Sequence, residues 1–139
     1  MGRVSNSIAL VFLLLMFSSS SSAEWTMVQE SKHANSYVDA DRIRRHEGYI
    51  YIWELLDLER PNEHGISSIL AYTRCDCDLF RYGPLSFSLH KEAMGEGHGK
   101  SVNVEEYKWT SPNPESRGET FLNNACMIAR AQQIPTKLP

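Results

Sequence analysis

A-Y-T-R-C-D-C-D-L, residues Ala71–Leu79, holds two of the three cysteines of this 139-residue chain; the third, Cys126, stands far downstream. Period-two alternation over Ser67–Cys77 reads as a β-strand. It puts Ala71, Thr73, Cys75 and Cys77 on one face and Leu70, Tyr72, Arg74 and Asp76 on the other. The cysteine face carries small side chains and leaves room for a helix to lie close. Cys126 belongs to a segment with helical spacing, about Arg117 to Ala131, whose apolar stripe is Phe121, Leu122, Ala125, Cys126 and Ala129. A bridge from C-D-C to Cys126 pins that helix to the sheet. Closing a loop of roughly 50 residues is worth about 4 kcal/mol, and the loops closed from Cys75 and from Cys77 differ too little for entropy to choose between them.

Working outward, Ser116-Arg117-Gly118-Glu119 has the spacing of a capping box at the helix start. Upstream, Tyr49–Leu56 (Y-I-Y-I-W-E-L-L) is rich in aromatic and β-branched residues and apolar on both faces, with Glu54 the one charge. This predicts a central strand covered on both sides. One helix covers only one face of a sheet, so the Tyr49, Tyr51, Trp53 face calls for a loop, strand curvature or a second copy of the chain. Leu85–His90 (L-S-F-S-L-H) alternates strictly, predicting Leu85, Phe87 and Leu89 inward and Ser86, Ser88 and His90 outward. Trp25–Glu30, Ser36–Asp39 and Val102–Trp109 read as further strands, and Gly83-Pro84 as a break. Strands followed by one helix mean an α+β fold with an antiparallel sheet.

The N-terminus reads as a targeting segment. Arg3 precedes the apolar run Ile8–Phe17, and Ser21-Ser22-Ala23 offers small residues for cleavage. The run is too short to span a bilayer, which takes roughly 20 apolar residues. The expected division is a signal peptide over 1–23, one domain over 24–131 and a disordered tail over 132–139, with no membrane attachment once the signal is removed. Removing the segment takes one basic residue and no acidic one from a chain whose net charge is −3, so the domain is mildly acidic. That argues against nucleic-acid binding, which needs basic patches. Export to an oxidising compartment favours a disulfide.

C-D-C admits three readings: a bridge to Cys126 with one spare thiol, a chelate for a soft metal ion, or redox exchange. The bridge suits the compartment. Gly95–Ser101 superficially resembles a phosphate cradle, but Met94 stands where the P-loop needs glycine and no helix follows, so a flexible turn is expected. His90 and His98 flank that loop with Glu92 and Glu96. No histidine pair has metal-binding helical spacing, no serine sits in a nucleophile elbow, and no cofactor motif is found. The one basic concentration, Arg42, Arg44 and Arg45, is a candidate contact for an anionic ligand.

Taken together, these residues resemble the surface-adhesin protein E-like domains of bacterial exported proteins. The resemblance runs through Trp25, Y-V-D at Tyr37–Asp39, I-R-R at Ile43–Arg45 and W-E-L at Trp53–Leu55. It continues through D-C at Asp76-Cys77, the serine-rich strand Leu85–His90 and M-G-x-G at Met94–Gly97. It closes with Trp109, P-x-S at Pro114–Ser116 and Cys126. It implies an antiparallel sheet of about six strands with the C-terminal helix packed on it, and a disulfide between Cys77 and Cys126. It also implies no enzymatic activity and no cofactor, and no metal site is expected. The resulting expectation is a non-catalytic periplasmic or secreted binding module with a protein or extracellular-polymer partner, or a homodimer. The alternative is a metal- or thiol-handling protein that uses C-D-C. Cys75 is an extra cysteine relative to the family pattern, and the lipid-attachment cysteine of surface-displayed members is missing.

Overall fold

The computed structural model describes residues 23–133; nearly all of the segment read as a signal, and most of the expected tail, lie outside the described residues. The strands are β1 (Trp25–Gln29), β2 (Ala34–Asp39), β3 (Arg44–His46), β4 (Tyr49–Leu58), β5 (Ser68–Asp76), β6 (Arg81–His90) and β7 (Lys100–Asn103). One helix, α1 (Arg117–Ala131), follows them. Every pairing is antiparallel, in the order β1-β2-β4-β5-β6-β7, with short β3 also on β4. This is the α+β architecture expected from the chain's strands-then-helix order.

Helix α1 lies across one face. Phe121, Leu122, Ala125, Cys126 and Ala129, the stripe read from the sequence, are all buried. They pack with Val38, Ile50, Ile52 and Cys75 from β2, β4 and β5. Ser116 caps the helix, its hydroxyl accepting from the Glu119 amide at 3.2 Å. The return arm differs from a standard capping box: the Glu119 carboxylate accepts from the Glu115 amide at 2.7 Å, while the Ser116 amide donates to Asn113. A disulfide joins Cys77 to Cys126, with 5.8 Å between their Cα atoms. Cys77 stands one residue beyond β5, so the bridge ties the helix to the β5–β6 turn rather than to the strand.

The two ends of the opposite face are covered from within the chain. At one end the segment after β6 folds back over β4 and β5. The Met94 amide donates to Asp57 at 2.6 Å, the Gly95 amide to Ser68 Oγ at 2.8 Å, and Ser68 Oγ to the Glu92 carbonyl at 2.6 Å. Leu55 is thereby fully buried on the face away from the helix. At the other end the chain from Val104 to Trp109 leaves the sheet and returns to it at Thr110, which bridges to Tyr82. This corrects the expected last strand Val102–Trp109: the paired part is Lys100–Asn103. Gly83-Pro84 likewise does not interrupt the sheet. β6 runs through both residues, and Pro84 sits beside a register shift in the β5–β6 ladder, where the missing amide does no harm.

Candidate functional site

Alternation on β4 and β5 brings Tyr49, Tyr51, Trp53, Tyr72 and Arg74 to the face away from the helix. All five are half-buried. Trp53 and Tyr72 are cross-strand partners with ring centroids 4.9 Å apart, and Tyr51 lies 6.1 Å from Tyr72. The out-of-sheet segment adds Tyr107 and Trp109, whose rings meet edge to face at 5.2 Å; Trp109 also reaches Tyr49 at 5.4 Å. Tyr107 can lie this low because residue 83 is glycine. A Cβ there would stand 2.5 Å from the Lys108 carbonyl and 2.7 Å from the Tyr107 hydroxyl.

The Arg74 guanidinium fills the centre of this group. It sits 4.1 Å from the Tyr107 centroid, 4.6 Å from Trp109 and 5.2 Å from Tyr49, and its Nε donates to the Tyr107 hydroxyl at 3.2 Å. Cations over aromatic faces are held by the ring quadrupole, by about 0.5–2 kcal/mol each depending on exposure. Arg81 lies over Trp109 at 4.4 Å and donates to Asp76 at 3.0 Å. Burial alone raises the Asp76 carboxyl, but the Leu79 amide and Arg81 outweigh it and hold the group below the usual carboxylate range. The result is a continuous surface of six aromatic rings and two arginines. It can stack against flat or apolar groups and present positive charge to an anionic one.

The candidates read from the sequence lie elsewhere. The three basic-turn arginines each have a separate partner in the chain. Arg42 pairs with the buried Asp39 carboxylate, Arg44 donates to its neighbouring Ile43 carbonyl at 3.5 Å, and Arg45 donates to the Ala129 carbonyl near the end of the helix. Cys77 is oxidised, so C-D-C is not available as a dithiol chelate. Cys75 is a fully buried thiol, and burial pushes its pKa far up, with the nearby Glu54 carboxyl adding to the effect.

His90, read as outward, is buried. Its Nδ1 meets the Glu96 carbonyl at 3.0 Å and its Nε2 the Ser88 hydroxyl at 2.9 Å, so both ring nitrogens are engaged. The glycine-rich loop is fastened to the sheet, its Met94 and Gly95 amides aimed inward rather than toward a ligand. Among the described residues no group of three or more His, Cys, Asp or Glu side chains is placed to hold a metal ion.

The sequence reading missed Tyr72, Arg74, Arg81 and Tyr107 as site residues. The signal for two of them was present: Tyr72 and Arg74 alternate onto the face opposite the cysteines. Their meeting with Trp109 depends on a loop path that no periodicity encodes.

The same arrangement of strands and helix occurs in solved structures of protein E from Haemophilus influenzae. One is 17% identical over 76% of this chain and 84% of that one, with a TM-score of 0.54. A second crystal form is 13% identical over 75% and 92%, with a TM-score of 0.53. Protein E from a non-typeable strain is 17% identical over 80% and 79%, also at 0.53. No curated protein matches the chain. The family model described as surface-adhesin protein E matches residues 25–127, from Trp25 in β1 to one residue past the bridge cysteine of α1. With the sheet, the first part of the helix and the Cys77–Cys126 bridge within that span, the chain belongs to the surface-adhesin protein E family.

Proposed function

We propose that this protein is a non-catalytic extracytoplasmic binding module, and that it engages a protein or extracellular-polymer partner through the aromatic–arginine face. The observation that carries the reading is the unbroken run from Trp53 through Tyr72 and Tyr51 to Arg74, Tyr107, Trp109 and Arg81. Tryptophan, tyrosine and arginine are the residues that most often dominate binding energy at protein interfaces. Membership of an adhesin family points the same way, and the Ile8–Phe17 run with S-S-A supports export. Because the chain's own loops cover much of this face, dimerisation is not required to bury it; a second copy is one occupant among others.

The test is binding of the oxidised protein to an immobilised basement-membrane matrix, with the double variant Trp53→Ala, Tyr72→Ala as the probe of the face. The expected result is at least a tenfold loss of affinity, with the fold retained by circular dichroism; tenfold corresponds to about 1.4 kcal/mol. Equal binding by the folded variant, or no binding by the parent protein, overturns the assignment.

A further inference from the structure

A second concavity lies on the opposite side of the sheet, under the start of α1. It has a volume of about 500 Å³, within the range of small-molecule sites. Ala71 and Thr73 of β5 form its floor with Glu54 of β4. Phe87, Pro84, Phe121 and Pro112 supply apolar walls. The helix approaches closely because residue 118 is glycine: a Cβ there would stand 2.4 Å from the Tyr82 hydroxyl.

Glu54 is the anomaly in this cleft. It is the one acidic side chain lining the cleft, half-buried rather than sealed off, and among the described residues no cation is paired with it. Burial pushes it up to about 7, against the opposing pull of Arg117. Arg117 is exposed at the cleft mouth and does not close onto the carboxylate. The other titratable groups facing Glu54 are the Tyr82 hydroxyl on β6 and the Cys75 thiol on β5, both neutral near pH 7 and both raised. The loop wall brings only the uncharged Thr110, Ser111, Pro112 and Asn113.

We propose that this cleft binds a primary ammonium on an aliphatic chain, with Glu54 as its counter-ion. An anionic or neutral apolar ligand leaves the carboxyl unpaired. An ammonium completes it, while the methylenes behind the charge lie along Phe87, Phe121 and the two prolines, as lysine stems do on apolar surfaces. Lysine side chains and free diamines share this chemistry. Binding requires the ionised carboxylate, so affinity is greatest above pH 7 and falls about tenfold per pH unit well below it. Arg117 competes for the same charge, so its removal strengthens binding.

The test is a titration of the ¹⁵N-labelled oxidised protein with 1,5-diaminopentane and, separately, with Nα-acetyl-lysine methylamide, followed at the amides of Ala71, Thr110 and Gly118. Saturable shifts confined to these positions are expected, weakening about tenfold from pH 6.5 to 5.5. Glu54→Gln should abolish them, and Arg117→Gln should tighten binding several-fold. Saturation by the lysine derivative alone assigns the site to protein partners; saturation by the diamine assigns it to free amines. No shift at tens of millimolar ligand, equal binding by Glu54→Gln, or pH-independent affinity overturns the proposal. The pH profile of the parent protein keeps the test decisive even if a variant fails to fold.

Discussion

Replacing Glu54 with glutamine should change how stability depends on pH. The folded-state carboxyl is raised from an ordinary 4.5 to about 7, chiefly by burial. Below about pH 4.5 the group is protonated in both folded and unfolded chains and contributes no difference. Between about 4.5 and 7 the unfolded chain releases the proton while the folded one keeps it, so stability falls as pH rises. Above 7 the penalty is complete. A shift of this size corresponds to about 3 kcal/mol as an upper figure, at 1.36 kcal/mol per unit. The amide cannot ionise and removes the slope. Urea denaturation of both proteins at half-unit steps from pH 4.5 to 8 measures the effect. The difference in unfolding free energy should move steadily in favour of the variant up to about pH 7 and then level off. Because the held-down Asp76 is common to both proteins, the difference curve isolates residue 54. Two parallel curves would refute the argument, since they would mean that Glu54 titrates alike in the folded and unfolded chains.

Cys126→Ser should lower stability by about 4 kcal/mol, the entropy of a loop spanning 49 positions, read as a shift in the urea midpoint of the oxidised parent against the variant. Thiol counting with a maleimide should find one cysteine per chain, Cys75, reactive only after denaturation, because its side chain is fully buried. Ser116→Ala removes the hydroxyl that accepts from the Glu119 amide and should cost about 1 kcal/mol in thermal or urea unfolding.

The helix was legible to the residue. Its start was marked by Ser116, and its buried stripe by 3.6-residue spacing. Strands β4 and β5, and the Leu85–His90 part of β6, were legible for the same kind of reason, since alternation is a local property. Coverage is not local. His90 alternates onto the polar face of β6, yet it is buried because the loop through Gly95 and Glu96 folds over it. Val104–Trp109 has the composition of a strand, but Tyr107 and Trp109 pack on Arg74 and draw that segment out of register with β6. Glu54 was visible only as an odd charge within an apolar run. The cleft above it is assembled from α1 and the Thr110–Asn113 loop, residues more than fifty positions away. The aromatic–arginine face was half visible, through Tyr49, Tyr51 and Trp53; its other half depends on where a loop returns.

The placement of three cysteines also bears on the order of events during maturation. Cys75 and Cys77 emerge together from any translocating chain, and Cys126 much later, so the first pair that an oxidant meets is the wrong one. Once β5 pairs, Cys75 is held inside the strand and turned into the core, while Cys77 stands one residue past its end in the turn. Pairing of the sheet therefore protects against the short bridge, and docking of α1 supplies the correct partner. An oxidant that acts before the sheet forms leaves a chain needing isomerisation; one that acts afterwards finds Cys75 sealed in the core and only one pair left to join.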